Sequence, residues 1–329
     1  MRLTRRSFAG VTLGSLTVFS RSVVAVDFTF TQYHNQTAAS SLHRRIVEMW
    51  DAVRRDTRGR VAVQVFPQNN NIQGSDPAAL KALVAGDIQF FTLMGGILGT
   101  IVPAAEVQQM PYAFRSAAHA HQAMDGALGT YLLEEMTTRG IHGFRTGAFD
   151  NGMRQITART RIATPGDLVG LKMRVPAGQL VADTFTALGC QPVVINSDSI
   201  YAALKDGRAD AQENPLTLAD QFKLYEVVHY VAMTNHMWSG FNLLANRPAW
   251  QRLPEDIRGI IDRNVATYVR LQRQDQMQAN TRLRAELEAR GLEFNTPDAA
   301  PFKKQLGGVY ATWKDTLGAK CWTLLSDVS

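Results

Sequence analysis

The chain is poor in cysteine: Cys190 and Cys321 are the only two in 329 residues. A disulfide scaffold is thereby excluded. A chain of this size buries a core without staples, so two separate thiols, 131 positions apart, are expected. Beyond residue 25 there is also no apolar run long enough to cross a bilayer. Templates for chemistry are missing as well: G-x-S-x-G, G-x-G-x-x-G, the P-loop and H-E-x-x-H do not occur. His119 and His121 do not replace them, because on a helix their side chains leave on different faces. No enzyme, metal or other cofactor is expected.

Acid is absent from residues 1–25, and this accounts for the basic balance. The formal charge is +6, but Arg2, Arg5, Arg6 and Arg21 fall in that stretch, and the remainder holds 31 basic against 29 acidic residues. Nothing here calls for nucleic acid. "TRRSFAG", Thr4 to Gly10, sets paired arginines before a modest apolar run, Phe8 to Phe19, interrupted by Gly10, Gly14 and Ser15. Compact residues follow to Ala25, so residues 1–25 have the form of a twin-arginine (Tat) signal peptide for export to the periplasm.

From Val26 onward, strand and helix alternate. "VDFTFTQY" and "RVAVQVFP" (Arg60 to Pro67) have strand composition, and between them Leu42, Ile46, Val47, Trp50 and Val53 fall at helical spacing. Asp76-Pro77 opens a short helix that Gly86 closes, and "DIQFFTL" returns as a strand. Ser75–Gln89 and Ser197–Gln212 echo one another, each with a Ser-Asp start, an Ala-Leu helix and a glycine stop, which suggests two lobes built alike. Pro254 to Arg290 keeps an apolar stripe of Ile257, Ile261, Val265 and Tyr268. At 1.5 Å per residue such a helix is ~55 Å long, enough to cross both lobes.

"GLKMRVP" is a short strand ended by Pro176, with Arg174 near its end and Lys172 toward its outer, solvated end. Together with "NGMRQIT" (Asn151 to Thr157), "IYAALKDGRADAQENPL" (Ile200 to Leu216) and "YEVVHYVAMTNHMW" (Tyr225 to Trp238), it resembles the substrate-binding proteins of TRAP transporters, the DctP family. The likeness runs from about Phe28 to the C-terminal region and includes "RGRVAVQVFPQNN" and "QQMPYAFR".

The resemblance implies an α/β, two-lobed periplasmic binding protein of the Venus-flytrap type, with hinge strands and a long helix crossing both lobes. Residues 26–150 and about 239–280 would form lobe one; 151–238 and about 281–329 would form lobe two. The receptor, a monomer, would close on a small organic acid and pass it to the small and large integral membrane subunits of a permease. Presentation of the acid to a membrane sensor is the alternative, with a periplasmic enzyme acting on a small acid as the more distant rival. By the resemblance Arg174 clamps a carboxylate, Arg154 is a second basic contact and Asn214 a hydrogen-bond partner; a guanidinium fork fits a carboxylate as no lysine can. A structural ion pair between Arg174 and Glu213 competes with that reading, and Glu213 is expected to orient an arginine. Tyr33, Asn35, Gln36, Thr92 and Met94 would form the lobe-one wall, joined by Phe149, Ser197 and Trp238. Met94, Ala177 and Ser199 stand where hydroxyl-binding side chains are expected in relatives, so the expected ligand is a less hydroxylated keto, aromatic or branched acid.

Overall fold

The computed structural model describes residues 26–328, and the signal-peptide expectation lies outside them. Eleven strands are found among these residues: β1 (Phe28–His34), β2 (Val61–Phe66), β3 (Phe90–Met94), β4 (Ile141–Met153), β5 (Gln155–Ala158), β6 (Lys172–Val175), β7 (Gln191–Val194), β8 (Ala211–Asn214), β9 (Tyr230–Ala232), β10 (Trp238–Asn246) and β11 (Glu293–Asn295). They form two sheets, ordered β2-β1-β3-β10-β4 and β11-β9-β5-β8-β6-β7. Each sheet with its helices is one lobe of a two-lobed α/β fold. Among the described residues no helix is long and apolar enough to cross a membrane.

The first βαβ unit forms as its periodicity predicts. Ser40 caps the helix Ser41–Asp56 by accepting from the His43 amide, and Ile46, Met49, Trp50 and Val53 are buried against the sheet. β1 and β2 then pair in parallel, Phe28 opposite Val61. The two echoed segments fold alike: the helices Ser75–Ala85 and Ile200–Lys205 each precede a glycine at positive φ, Gly86 (90°) and Gly207 (73°), and then a strand.

The chain passes between sheets where β4 gives way to β5 and where β9 gives way to β10. The helix Glu255–Glu288, 34 residues and about 51 Å long, spans both lobes. Its stripe is Ile257, Ile261, Val265 and Val269; Tyr268 is only half-buried. Farther along, two buried amides of this helix bind the end of β4: Gln272 exchanges two hydrogen bonds with the Asp150 backbone (2.7 and 2.8 Å), and Gln276 donates to Asn151 O (2.9 Å). The C-terminal helix Gly307–Ser326, expected with lobe two, packs against helices of both lobes. Cys190 and Cys321 are both free and buried.

Candidate functional site

The sheets face each other across a cleft whose walls are strand ends, where a parallel α/β layout gathers side chains from several elements. Lobe one supplies Asn35 and Gln36 after β1, Met94 at the end of β3, Ile97, Asp76 from the first turn of Ser75–Ala85, and Ser239 and Phe241 of β10. Asn151, Arg154, Arg174, Pro176, Ser197, Asn214 and Leu218 complete the lining. Little room is left between these walls, about 20 Å³, and the lobes touch beside it, Thr37 Oγ1 donating to Gln221 Oε1 at 3.3 Å, so they stand closed.

Both arginines are buried, with 1% of Arg154 and 3% of Arg174 exposed, yet they are held differently. Arg154 is saturated. Its Nε and Nη2 clasp the two carboxylate oxygens of Glu213, Nη2 also donates to Glu213 O (2.8 Å) and Asn214 Oδ1 (3.1 Å), and Nη1 donates to Ser239 Oγ and Met94 Sδ (both 3.1 Å). His236 Nε2 lies 3.2 Å from Glu213, and its Nδ1 meets Thr234 Oγ1 at 2.7 Å. Burial alone would raise the Glu213 carboxyl, but Arg154 and His236 outweigh it and hold the group down to about 2.

Arg174 makes one hydrogen bond among the described residues, from Nε to Ile195 O at 2.8 Å, and no ion pair. Burial pulls its pKa down to about 10, with Glu213 opposing and Arg154 adding to the fall, so it is charged at neutral pH. The competing Arg174–Glu213 pair is therefore absent; Glu213 belongs to Arg154. Pro176 follows β6 directly and stops the strand with Arg174 at the cleft, while Lys172 at the outer end is exposed and donates to Gly207 O.

Sequence reasoning missed Asp76 as a cleft residue. It is 3% exposed; Asn35 Nδ2 donates to one oxygen and Asn69 Nδ2 to the other, both at 2.7 Å. Asn69 is delivered by a left-handed stretch, Gln68 to Asn71, with φ of 48–58° at every residue, a conformation asparagine tolerates better than most. Burial raises the Asp76 carboxyl, opposed by the two amides and then by Arg174. The echo held the signal: both Ser-Asp starts end at the cleft, Asp76 on one side and Ser197 on the other. Asn151, Ser239, Phe241, Ile97 and Leu218 were also missed.

Of the other expected wall residues, Asn35, Gln36, Met94, Arg154, Arg174, Ser197 and Asn214 are brought together, and five are not. Tyr33 stacks on Phe66 with ring centroids 4.8 Å apart. Thr92 accepts from Gln32 inside the sheet. Phe149 and Trp238 are fully buried, Trp238 donating to Asp150 Oδ1 at 2.8 Å, because these large apolar groups fill the space under the sheet. Phe241, opposite Phe149 in register, provides the aromatic wall instead. Glu213 is buried behind Arg154. The lining is also more polar than expected, since the losses at Met94, Ala177 and Ser199 are offset by Asp76, Asn151 and Ser239.

His119 and His121 diverge on the helix Ala117–Asp125: His119 Nδ1 accepts from the Arg115 amide, and His121 stacks edge-on against Trp238. Among the described residues no group of three or more His, Cys, Asp or Glu could hold a metal ion.

Two lobes closing on a charged cleft define a solute receptor. A family model for the bacterial extracellular solute-binding proteins, family 7 (DctP), matches residues 33–316, and the chain belongs to that family, whose members are extracellular or periplasmic. A solute-binding protein of Roseobacter denitrificans is 29% identical over 86% of each chain. The fold matches a TRAP periplasmic solute-binding protein of Xanthobacter autotrophicus Py2 with bound β-D-galacturonate (TM-score 0.86, 24% identity, 91% of this chain and 98% of that one). It also matches one of Shewanella oneidensis with bound succinate (TM-score 0.86, 23% identity, 92% and 99%).

Proposed function

We propose that this receptor binds a small carboxylic acid through the guanidinium fork of Arg174 and delivers it to the small and large membrane subunits of a TRAP-type permease after Tat export. The observation that carries the reading is the contrast in the cleft: Glu213 neutralises Arg154, while Arg174 keeps two Nη groups without a protein partner among the described residues. A buried guanidinium is costly unless paired, and a carboxylate satisfies it with two parallel bonds. Arg154 and Asn214 then act behind the ligand. Asn214 accepts from Arg154 and donates to Gln212 at 2.6 Å, which fixes the floor on which Arg174 works.

Gln36 and Ser197 offer donors to hydroxyl groups or a second carboxylate, and Asp76 can accept from a hydroxyl, so the lining favours a compact acid over an aromatic one. The galacturonate and succinate of similar receptors fit that class. A calorimetric panel of succinate, D-galacturonate, D-glucuronate, pyruvate and phenylpyruvate tests it. Binding of succinate or a uronate is expected, and binding of phenylpyruvate alone would overturn the hydroxylated-acid reading.

A further inference from the structure

Glu106 lies in the short 3-10 segment Pro103–Gln109 of lobe one, is 4% exposed and points out of its own lobe. Its Oε1 accepts from the Gln179 amide at 2.9 Å and its Oε2 from the Leu180 amide at 3.3 Å. Those amides open the helix Gln179–Ala187 of lobe two, where the first N–H groups of a helix have no partner within it. The helix starts three residues after Pro176, on the segment that aims Arg174. Its own N-cap, Gly178, offers no side chain for the task.

The contact is tailored. A Cβ on Gly178 would sit 3.3 Å from Gly96 O and 3.6 Å from Glu106 Oε2, so the two lobes touch here backbone to backbone. On Gly99 a Cβ would lie 2.3 Å from Glu106 Cγ, so that glycine makes room for the carboxylate.

We propose that Glu106 is a cross-lobe latch: closure brings its carboxylate onto the N-terminus of Gln179–Ala187, capping that helix and holding the Arg174 segment in its binding position. This rests on the receptor reading only in assuming that the lobes open and close. Glu106 is a positioning residue, acting on the acid through the helix and Arg174.

Burial pushes the Glu106 carboxyl up to about 7 against the two amides that pull it down, and Asp183 of the same helix adds to the rise. Of the other elements packed on Pro103–Gln109, Gly95–Leu98 and β10 carry no titratable group. On Gly307–Ser326, Lys314, Asp315 and Lys320 are exposed, Tyr310 donates to Pro111 O and Cys321 is a buried thiol. On Ala127–Thr138, Tyr131 and Glu135 are half-buried and Glu134 faces solvent. In the open receptor water reaches Glu106 and its pKa returns toward 4.5. The closed state therefore binds the extra proton, and acidification from pH 8 to 5.5 favours closure as far as this group is concerned.

Amide exchange at Gln179 and Leu180 tests the latch in wild type, Glu106→Ala and Glu106→Gln, each alone and with saturating D-glucuronate or succinate. Glu106→Ala should exchange these two amides roughly tenfold faster or more in at least one condition, as expected for losing hydrogen bonds to a charged acceptor, with Thr184 unchanged. Glu106→Gln, which keeps an acceptor oxygen and the shape, should fall between the two. It should also flatten the rise in closure expected of wild type as pH falls, read by the same exchange. Equal rates at both amides in all three proteins under every condition would overturn the latch. If neither acid alters wild-type exchange or melting, the acid reading fails, and the acid-free comparison still decides the latch.

Discussion

Arg154 and Arg174 come from one sheet, just before β5 and near the end of β6 with β8 between those strands, line one cleft and are equally hidden from water, but only one is finished by the protein. Arg154 has an acceptor for each nitrogen, with Glu213 answering its charge. Arg174 has a single carbonyl on Nε. The difference separates scaffold from binding group: a charge neutralised within the fold fixes the shape of the floor, whereas a charge left with its fork unanswered is completed only by a ligand. Both are Arg followed by an apolar or amide strand residue, so the distinction lies in the partners and not in residue type.

The comparison breaks most sharply when the two arginines are disturbed in turn. Glu213→Ala leaves Arg154 buried without a counter-charge and should cost about 3–5 kcal/mol of folding stability, measured by urea unfolding. Arg174→Ala removes a charge that no side chain pairs, so its unfolding midpoint should stay close to wild type. Its affinity for succinate or D-glucuronate, whichever binds, should fall by about 3–5 kcal/mol in calorimetry, the cost of stripping one partner from a buried ion pair. Equal losses of stability in the two variants would erase the distinction between them.

Acid titration sharpens the same contrast from the Glu213 side. Its carboxyl is held at about 2, below its ordinary 4.5, so the stability it contributes is complete above pH 4.5 and is lost as pH falls through 2. The shift corresponds to about 3 kcal/mol. Urea midpoints of wild type should decline over that window, and Glu213→Gln should decline less.

The parts of this molecule governed by local periodicity were legible in the sequence. The βαβ start, the Gly86 stop, the long helix and the strand ended by Pro176 all follow from spacing and turn chemistry within a few residues. Arg174, Arg154 and Asn214 were grouped by the family resemblance of their motifs, and one sheet brings them together: β5 pairs with β8, and β8 with β6. What was not legible depends on contacts between distant segments. Asp76 looked like an ordinary helix start, and only the left-handed turn at Gln68–Asn71 and the β1 end bring two amides onto it. Phe149 and Phe241 are directly paired strand neighbours, and the sequence holds nothing to say which of the two faces the cleft. Glu106 and the amides it caps lie more than seventy residues apart and on opposite lobes, so closure alone defines that contact.

The smallest disturbance tests whether Arg154 is as fully committed as its geometry implies. Ser239 Oγ accepts from Arg154 Nη1 at 3.1 Å and from Asn151 Nδ2 at 3.3 Å, and Ser239 is wholly buried. Ser239→Ala removes one acceptor while Glu213 and Asn214 keep theirs, so the guanidinium stays in place and the loss should be about 1 kcal/mol of stability. Because the Arg174 fork is untouched, affinity for succinate or D-glucuronate should change by no more than about twofold, well under the tenfold that 1.4 kcal/mol represents. A larger fall in affinity than in stability would mean that Arg154 also reaches the acid, and the division of labour between the two arginines would have to be redrawn as a shared clamp.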